Sequence, residues 1–373
     1  MTALSVFVSE TEVVSEIGCL GTLRSVVDRL SVKRVAIVCD QGVANAGLLD
    51  LVLDAFGPLH PVAQLFTDPD PSIADAEQAS CRAREQGADS VLAVGGGSGL
   101  ALGKAVAVGL GSGRPISGLA SAQNPASAGP VPTVAIPTTA GSGSEVSSVF
   151  VLRDPGSPAA LVVRRRGYAP RVALLDATLL SSLPRDPMIF AALDSLSHSL
   201  EALWARAASS FTDALAKAAA ERVFAVLPTC VRDRDPRSLQ MLLEASAMAN
   251  LACGNSGLGL VHALSIATAV RLPHGYQNGV LLPAVAAFNY PFVSPDIQAL
   301  IDRLAPLYDK IEFRPRFAHD DLDGTMVDAM VDVAFNSPLH INNVRHAGRR
   351  DLCEILVRAG APVSESKQPT VRD

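Results

Sequence analysis

A basic surplus is the first thing this chain lacks. It carries 31 Lys and Arg against 37 Asp and Glu, a net charge of −6, which argues against nucleic acid as its partner. Aromatic residues are scarce at 5%, with one tryptophan, and charged residues make up 18% beside an apolar 49%. That balance excludes a disordered chain and describes a well-packed globular one. No apolar run reaches membrane-spanning length, because Gly, Pro or Lys104 interrupts the longest of them. The opening "MTALSVFVSETEVV" has neither a basic segment nor a long apolar one, so no secretory signal is read there. Cys19, Cys39, Cys81, Cys230, Cys253 and Cys353 show no CxxC spacing. Reduced, mostly buried thiols are expected rather than disulfides or zinc knuckles, and with them a cytoplasmic location.

What the chain does have is length: 373 residues exceed one hydrophobic core, so two domains are expected. Before residue 182, continuous apolar runs end in turn or polar residues: "RVAIVCD" (34–40), "PVAQLF" (61–66), "SVLAVGGG" (90–97) and "PTVAIPTT" (132–139). Runs of this kind read as parallel strands buried on both faces. With helical stretches near 43–56, 72–86 and 99–110 between them, the grammar is βαβ. "EVSSVFVLRD" and "AALVVRRR" read as a hairpin turned by "DPGSP". From Asp186-Pro187, a helix-start pair, the pattern becomes helical at about 187–207, 211–227, 237–252, 257–270 and 276–289. A polar loop is expected over 311–324. The expected fold class is α/β plus all-α: a Rossmann-like parallel-sheet domain over 1–182, an all-helical domain over 183–362, and a disordered tail over 363–373.

Two loops point to a phosphate-bearing ligand. Gly95, Gly96, Gly97 and Ser98 join a strand to a helix, where glycines let a phosphate approach free backbone N–H groups. The run is not GxGxxG, and a plain tight turn would select glycine as well. "PTTAGSGSE" (137–145) places Thr138, Thr139, Ser142 and Ser144 directly after another strand. Two such loops at the carboxyl ends of parallel strands mark the dinucleotide place of this architecture. Asp40 ends "VAIVCD". A carboxylate there accepts from the ribose 2′-hydroxyl of NAD(H) and repels the 2′-phosphate of NADP(H), so NAD(H) is expected; capping the next helix is its other reading.

Histidine is scarce too, at seven residues. In "LDSLSHSLEALW" His198 follows Asp194 by four, so both project from one helix face. His262 lies in "GLGLVHALS" and His274 in "RLPHGYQN". A lone histidine on an apolar helix is usually a satisfied core residue. One acid and three imidazoles in one helical half form a donor set that Fe(II) or Zn(II) accepts. His60, His319, His340 and His346 stand in polar surroundings and read as surface residues.

In order along the chain, "GGGS" with Lys104 downstream, "AIPTTAGSGSEVSS", "RVALLDATLLSSLP", "LDSLSHSLEALW", "GLGLVHALS" and "LPHGYQNGVLLPAVAAFN" resemble the iron-containing (group III) alcohol dehydrogenases. Relatives of that family include maleylacetate reductases, phosphonoacetaldehyde reductases and, more distantly, dehydroquinate synthase. The resemblance runs from about residue 35 to 290 and more loosely to 360. It implies a dehydroquinate synthase-like fold and one divalent metal, Fe(II) or Zn(II), on Asp194, His198, His262 and His274 facing an interdomain cleft. The implied function is NAD(P)H-dependent reduction of a small aldehyde or ketone to an alcohol.

"HALS" and the Asp194 helix look most like the phosphonoacetaldehyde reductase branch. An anionic substrate would suit Arg164, Arg165 and Arg166, which also read simply as the exposed end of the hairpin. The chain departs from the family at several positions. Ala101 replaces a common Asp, Ala160 a common Lys, and Ile266 a second histidine, while the turn between His262 and His274 is shortened. The metal site is therefore expected intact, and the substrate pocket, lined by Ile266, remodelled.

Two other readings remain. A dehydroquinate synthase-like cyclase or lyase would need more basic residues in the helical half than it has. A catalytically altered, non-enzymatic relative is favoured by Ile266 and Ala101 but opposed by the cost of burying an unused acid and three imidazoles. The expected partner is a small carbonyl or alcohol, with neither nucleic acid nor membrane, and the expected assembly a homodimer.

Overall fold

The valine- and isoleucine-rich runs form strands. A computed structural model describes residues 6–57, 60–119 and 129–363. Its strands are β1 (Glu12–Ser15), β2 (Val35–Asp40), β3 (Ala63–Thr67), β4 (Ser90–Gly95), β5 (Thr133–Pro137), β6 (Val149–Leu152), β7 (Leu161–Arg164) and β8 (Val172–Leu175). Six of them make one parallel sheet in the order β1-β8-β5-β4-β2-β3, and β6 and β7 pair antiparallel as the expected hairpin. Alternation along β2 explains its continuous apolar run: Val35, Ile37 and Cys39 enter one core, Ala36 and Val38 the other. Helices Ile73–Glu85 and Gly97–Ser112 cover the second face. The first core continues into the helices that follow Arg185.

Chain order in the sheet reverses at β2 and β4. From β2 the chain steps to β3 at one edge, whereas β4, β5 and β8 step toward the other. Such a reversal opens a crevice at the carboxyl ends of the two strands, where ligands of open α/β sheets bind. Those ends are Asp40 and Gly95.

Among the described residues after Leu175 no strand is formed, and the long helices are Arg185–Leu203, Ser210–Asp233, Pro236–Ser256 and His274–Asn289. None among the described residues is long and apolar enough to cross a membrane. Several local expectations need correction. The stretch 43–56 is two helices, Gln41–Asn45 and Leu48–Phe56, because Gly47 between them turns left-handed at φ 74°. Helix Arg185–Leu203 starts after an extended Pro184, so Asp186 lies in its first turn rather than capping it. The stretch 257–270 keeps only Leu260–Ser265 helical. His340 is buried, with Nε2 against the carbonyl of Ala347, and is not a surface residue. The tail expectation over 363–373 falls, from residue 364 on, outside the described residues.

Candidate metal and cofactor site

Helix Arg185–Leu203 is buried almost all round by Met188, Ile189, Ala192, Leu193, Leu196 and Leu200. Against that background Asp194, His198 and Glu201 form one polar stripe at i, i+4 and i+7. The short helix Leu260–Ser265 brings in His262, and His274 is the first residue of helix His274–Asn289. Asp194, His262 and His274 each present a donor atom, all within 4.8 Å of one another. From Asp194 Oδ1 the distances are 3.4 Å to His262 Nε2, 3.8 Å to His274 Nε2 and 3.9 Å to His198 Nε2. The rings of His198 and His262 stack at 4.6 Å. Asp194, His198 and His262 are buried, while the side chain of His274 keeps 43% of its surface exposed.

Two residues that the sequence reading did not single out complete the cluster. Glu201 is fully buried; its Oε2 lies 2.6 Å from His262 Nδ1, and its Oε1 accepts from the N–H of Val261 at 2.6 Å. Gly259 permits this approach, since a Cβ there would stand 3.0 Å from Glu201 Oε1. With Nδ1 donating to Glu201, Nε2 is the nitrogen of His262 left to face Asp194, and the one that binds a metal once its proton is displaced. Asn278, one turn after His274, reaches the same point with its amide. Glu201 carried a usable signal, a charged residue continuing the Asp194–His198 stripe of an apolar helix. Asn278 carried one in its spacing from His274.

Electrostatics follow from burial and proximity. Burial alone would raise Asp194, but the imidazoles of His198, His262 and His274 hold it well below the usual carboxylate range. Burial pushes His198 down to about 4 against the pull of Asp194. Burial would lower His262 too, yet Glu201 and Asp194 outweigh it and raise it to about 9. A carboxylate and imidazole nitrogens thus crowd one point, an arrangement that a divalent cation satisfies by displacing the proton held at His262. The residues present fit such an ion.

The expected cofactor residues meet at the sheet crevice. Asp40 does not cap its helix with its side chain; its Oδ2 accepts from the N–H of Gly96 at 2.6 Å. Gly95 has φ 145°, and a Cβ there would strike that carboxylate at 2.1 Å. Burial raises Asp40 to about 6, partly relieved by the N–H groups of Gly96 and Gly99. The two loops touch: space beside Gly96 is closed by Thr139 and beside Gly97 by Ser142. The N–H of Thr138 donates to the Gly95 carbonyl at 3.0 Å. Ser98 is turned aside, its Oγ accepting from the N–H of Asp70 at 3.1 Å. Ser144 offers its carbonyl to Lys104, whose buried ammonium also bonds the carbonyls of Ser147 and Val149. Burial pushes Lys104 down and its neighbour Glu145 up, each to about 7.

Ile266 caps the end of helix Leu260–Ser265, partly buried, next to the bridge that joins Ala267 to Ala159 of the hairpin side. Arg164 and Arg166 line a separate cavity of about 240 Å³ with Glu10, Ser147 and Asn250, to which none of the four donors contributes.

Known families match this arrangement. The model described as iron-containing alcohol dehydrogenase covers residues 10–177, and that described as the C-terminal part of the Fe-containing alcohol dehydrogenase family covers 188–300. The chain belongs to the iron-containing alcohol dehydrogenase family. It is an oxidoreductase of the aldehyde–alcohol class. Among relatives of this family member, "Probable alcohol dehydrogenase EutG" of Escherichia coli strain K12 is 39% identical over 224 residues, 59% of this chain and 56% of that protein, so the match spans about half that relative's length. The 1-propanol dehydrogenase PduQ of Citrobacter freundii is 34% identical over 76% of this chain and 73% of its own. The NAD-dependent methanol dehydrogenase of Bacillus methanolicus is 32% identical over 70% of each. An iron-containing alcohol dehydrogenase from Thermococcus thioreducens superposes with a TM-score of 0.84 at 27% identity, covering 95% of this chain and 99% of that one.

Proposed function

We propose that the chain reduces a small aldehyde or ketone with NAD(H), residues 1–182 serving the dinucleotide and 183–362 the metal and substrate. The observation that carries this reading is the convergence of Asp194, His262 and His274 within 4.8 Å, with His198 Nε2 3.9 Å from Asp194 and Glu201 behind His262. When bound there, Fe(II) or Zn(II) supplies Lewis acidity toward a carbonyl oxygen, and a nicotinamide supplies hydride. Glu201 holds His262 with Nε2 turned inward. Burial of Asp194, His198 and His262 keeps water away and strengthens every charge interaction inside. The Asp40 carboxylate, braced on Gly96, meets the ribose 2′-hydroxyl and favours NAD(H) over NADP(H). Ile266 carries no proton, so the product alkoxide takes its proton from water, a ribose hydroxyl or a side chain elsewhere.

The substrate is proposed to be compact and uncharged. Outside the donor set, the groups acting on the imidazoles are the acids Asp70 and Glu201, and Arg164 and Arg166 face a different cavity. Phosphonoacetaldehyde is correspondingly disfavoured. A cytoplasmic homodimer belongs to this reading on sequence grounds alone. The test is NADH oxidation with a panel of aldehydes and keto acids after loading with Fe(II) or Zn(II), beside metal analysis. His262→Ala should lose the metal and most turnover while still binding NADH. Stoichiometric metal and normal turnover in that variant would refute the assignment.

A further inference from the structure

Asn278 is fully buried, and its Nδ2 lies 2.7 Å from Asp194 Oδ1, 3.1 Å from His262 Nε2 and 3.0 Å from His274 Nε2. An amide has two N–H hydrogens, so three acceptors around it cannot all be served. At its other end Oδ1 is buried without a partner. Metal–nitrogen and metal–carboxylate bonds are about 2.0–2.2 Å long. An ion shared by Asp194, His262 and His274 therefore lies against the terminal atom of the amide, which stands about equally far from all three donors. An amide nitrogen cannot face a cation: its lone pair is delocalised and its hydrogens point outward. The amide oxygen has two lone pairs and can. The terminal torsion of asparagine is broad and two-fold, so a half turn exchanges the two atoms almost in place.

We propose that Asn278 presents Oδ1 to the bound ion as an inner-sphere ligand, added to the Asp and His donors. This rests on the metal reading above. The same side chain then has two uses. Without an ion its two N–H groups reach at most two of Asp194, His262 and His274 at a time and hold the donors near one another; with an ion its oxygen joins them. An added neutral oxygen raises the coordination number, which suits Fe(II) better than a tetrahedral Zn(II) site.

The test uses Co(II) as the probe on the full chain, with equilibrium dialysis and visible absorption. Wild type should bind a single Co(II) with the weak bands of a five- or six-coordinate ion. Asn278→Ala should bind about tenfold more weakly, the scale on which groups around a metal act, and its bands should strengthen toward the four-coordinate pattern. Asn278→Asp, which keeps the oxygen and adds charge, should hold the wild-type pattern and bind at least as tightly. Unchanged affinity and spectrum in Asn278→Ala overturn the proposal and leave the metal site standing. No Co(II) uptake by wild type overturns both. If Asn278→Ala fails to fold by circular dichroism, Asn278→Asp decides, and a four-coordinate spectrum in it overturns the proposal.

Discussion

Replacing Glu201 by Gln isolates one task, the choice of tautomer at His262. Both oxygens of Glu201 are used, one by the N–H of Val261 and one by His262 Nδ1, each at 2.6 Å, in a fully buried position. Gln has one oxygen and one NH₂. The Val261 N–H needs the oxygen, so the NH₂ is left facing Nδ1, which must then accept. That moves the ring proton to Nε2, the atom that faces Asp194 and the metal. Loss of a group that orients a metal ligand costs about 10–100-fold in metal affinity, or about 1.4–2.8 kcal/mol. The figure agrees with the roughly 1.5–3 kcal/mol of one charge-assisted hydrogen bond. The assay is metal competition against a chelator, with ¹⁵N spectroscopy of the imidazoles to read the tautomer and a melting curve to confirm the fold. Metal affinity within about twofold of wild type, with a folded variant, would refute the tautomer argument.

Asp40→Gly should admit NADPH and erase the NADH preference in kcat/KM. Because burial raises Asp40 to about 6, the wild-type preference should be widest above that pH and narrow below it. The sign for stability is the reverse: the contribution of protonated Asp40 is present below its unfolded value near about 3.9 and is lost as pH rises through about 6. Equal use of both cofactors by wild type, or a preference flat between about pH 5 and about pH 8, counts against this role. Ile266→His should add an ionisation to the pH profile of turnover, and a profile identical to wild type would remove Ile266 from the pocket. Lys104→Met should lower the melting temperature markedly, since the carbonyls of Ser144, Ser147 and Val149 lose a buried donor at about 1–3 kcal/mol per orphaned group. An unchanged melting curve would show that the loop does not depend on it.

The sequence by itself determined the elements whose pattern is local. β2, β4 and β5 are buried on both faces, so their apolar runs are unbroken and legible. Asp194 and His198 are legible as a pair because four residues make about one helical turn. β1 and β8, four residues each, were not read as strands, whereas β6 and β7 of the same length were legible because the turn signature "DPGSP" joins them. That His262 and His274 share a site with them came from resemblance to a family, because periodicity is silent on contacts between segments far apart in the chain. Tertiary structure alone decided the rest. Gly141 and Gly143 look like phosphate-loop glycines, yet a Cβ on the first would meet Ala191 Cα at 2.7 Å, and on the second Asn250 Cβ at 2.2 Å. Their smallness also serves the docking of helices from the other half. Asp40 looked like either a cap or a ribose acceptor, and only the folded sheet shows its carboxylate braced on Gly96 across the crevice. Glu201 and Asn278 are polar residues inside apolar helices. The cost of burying them is offset only by partners that the fold delivers, so their roles exist only once those helices pack together.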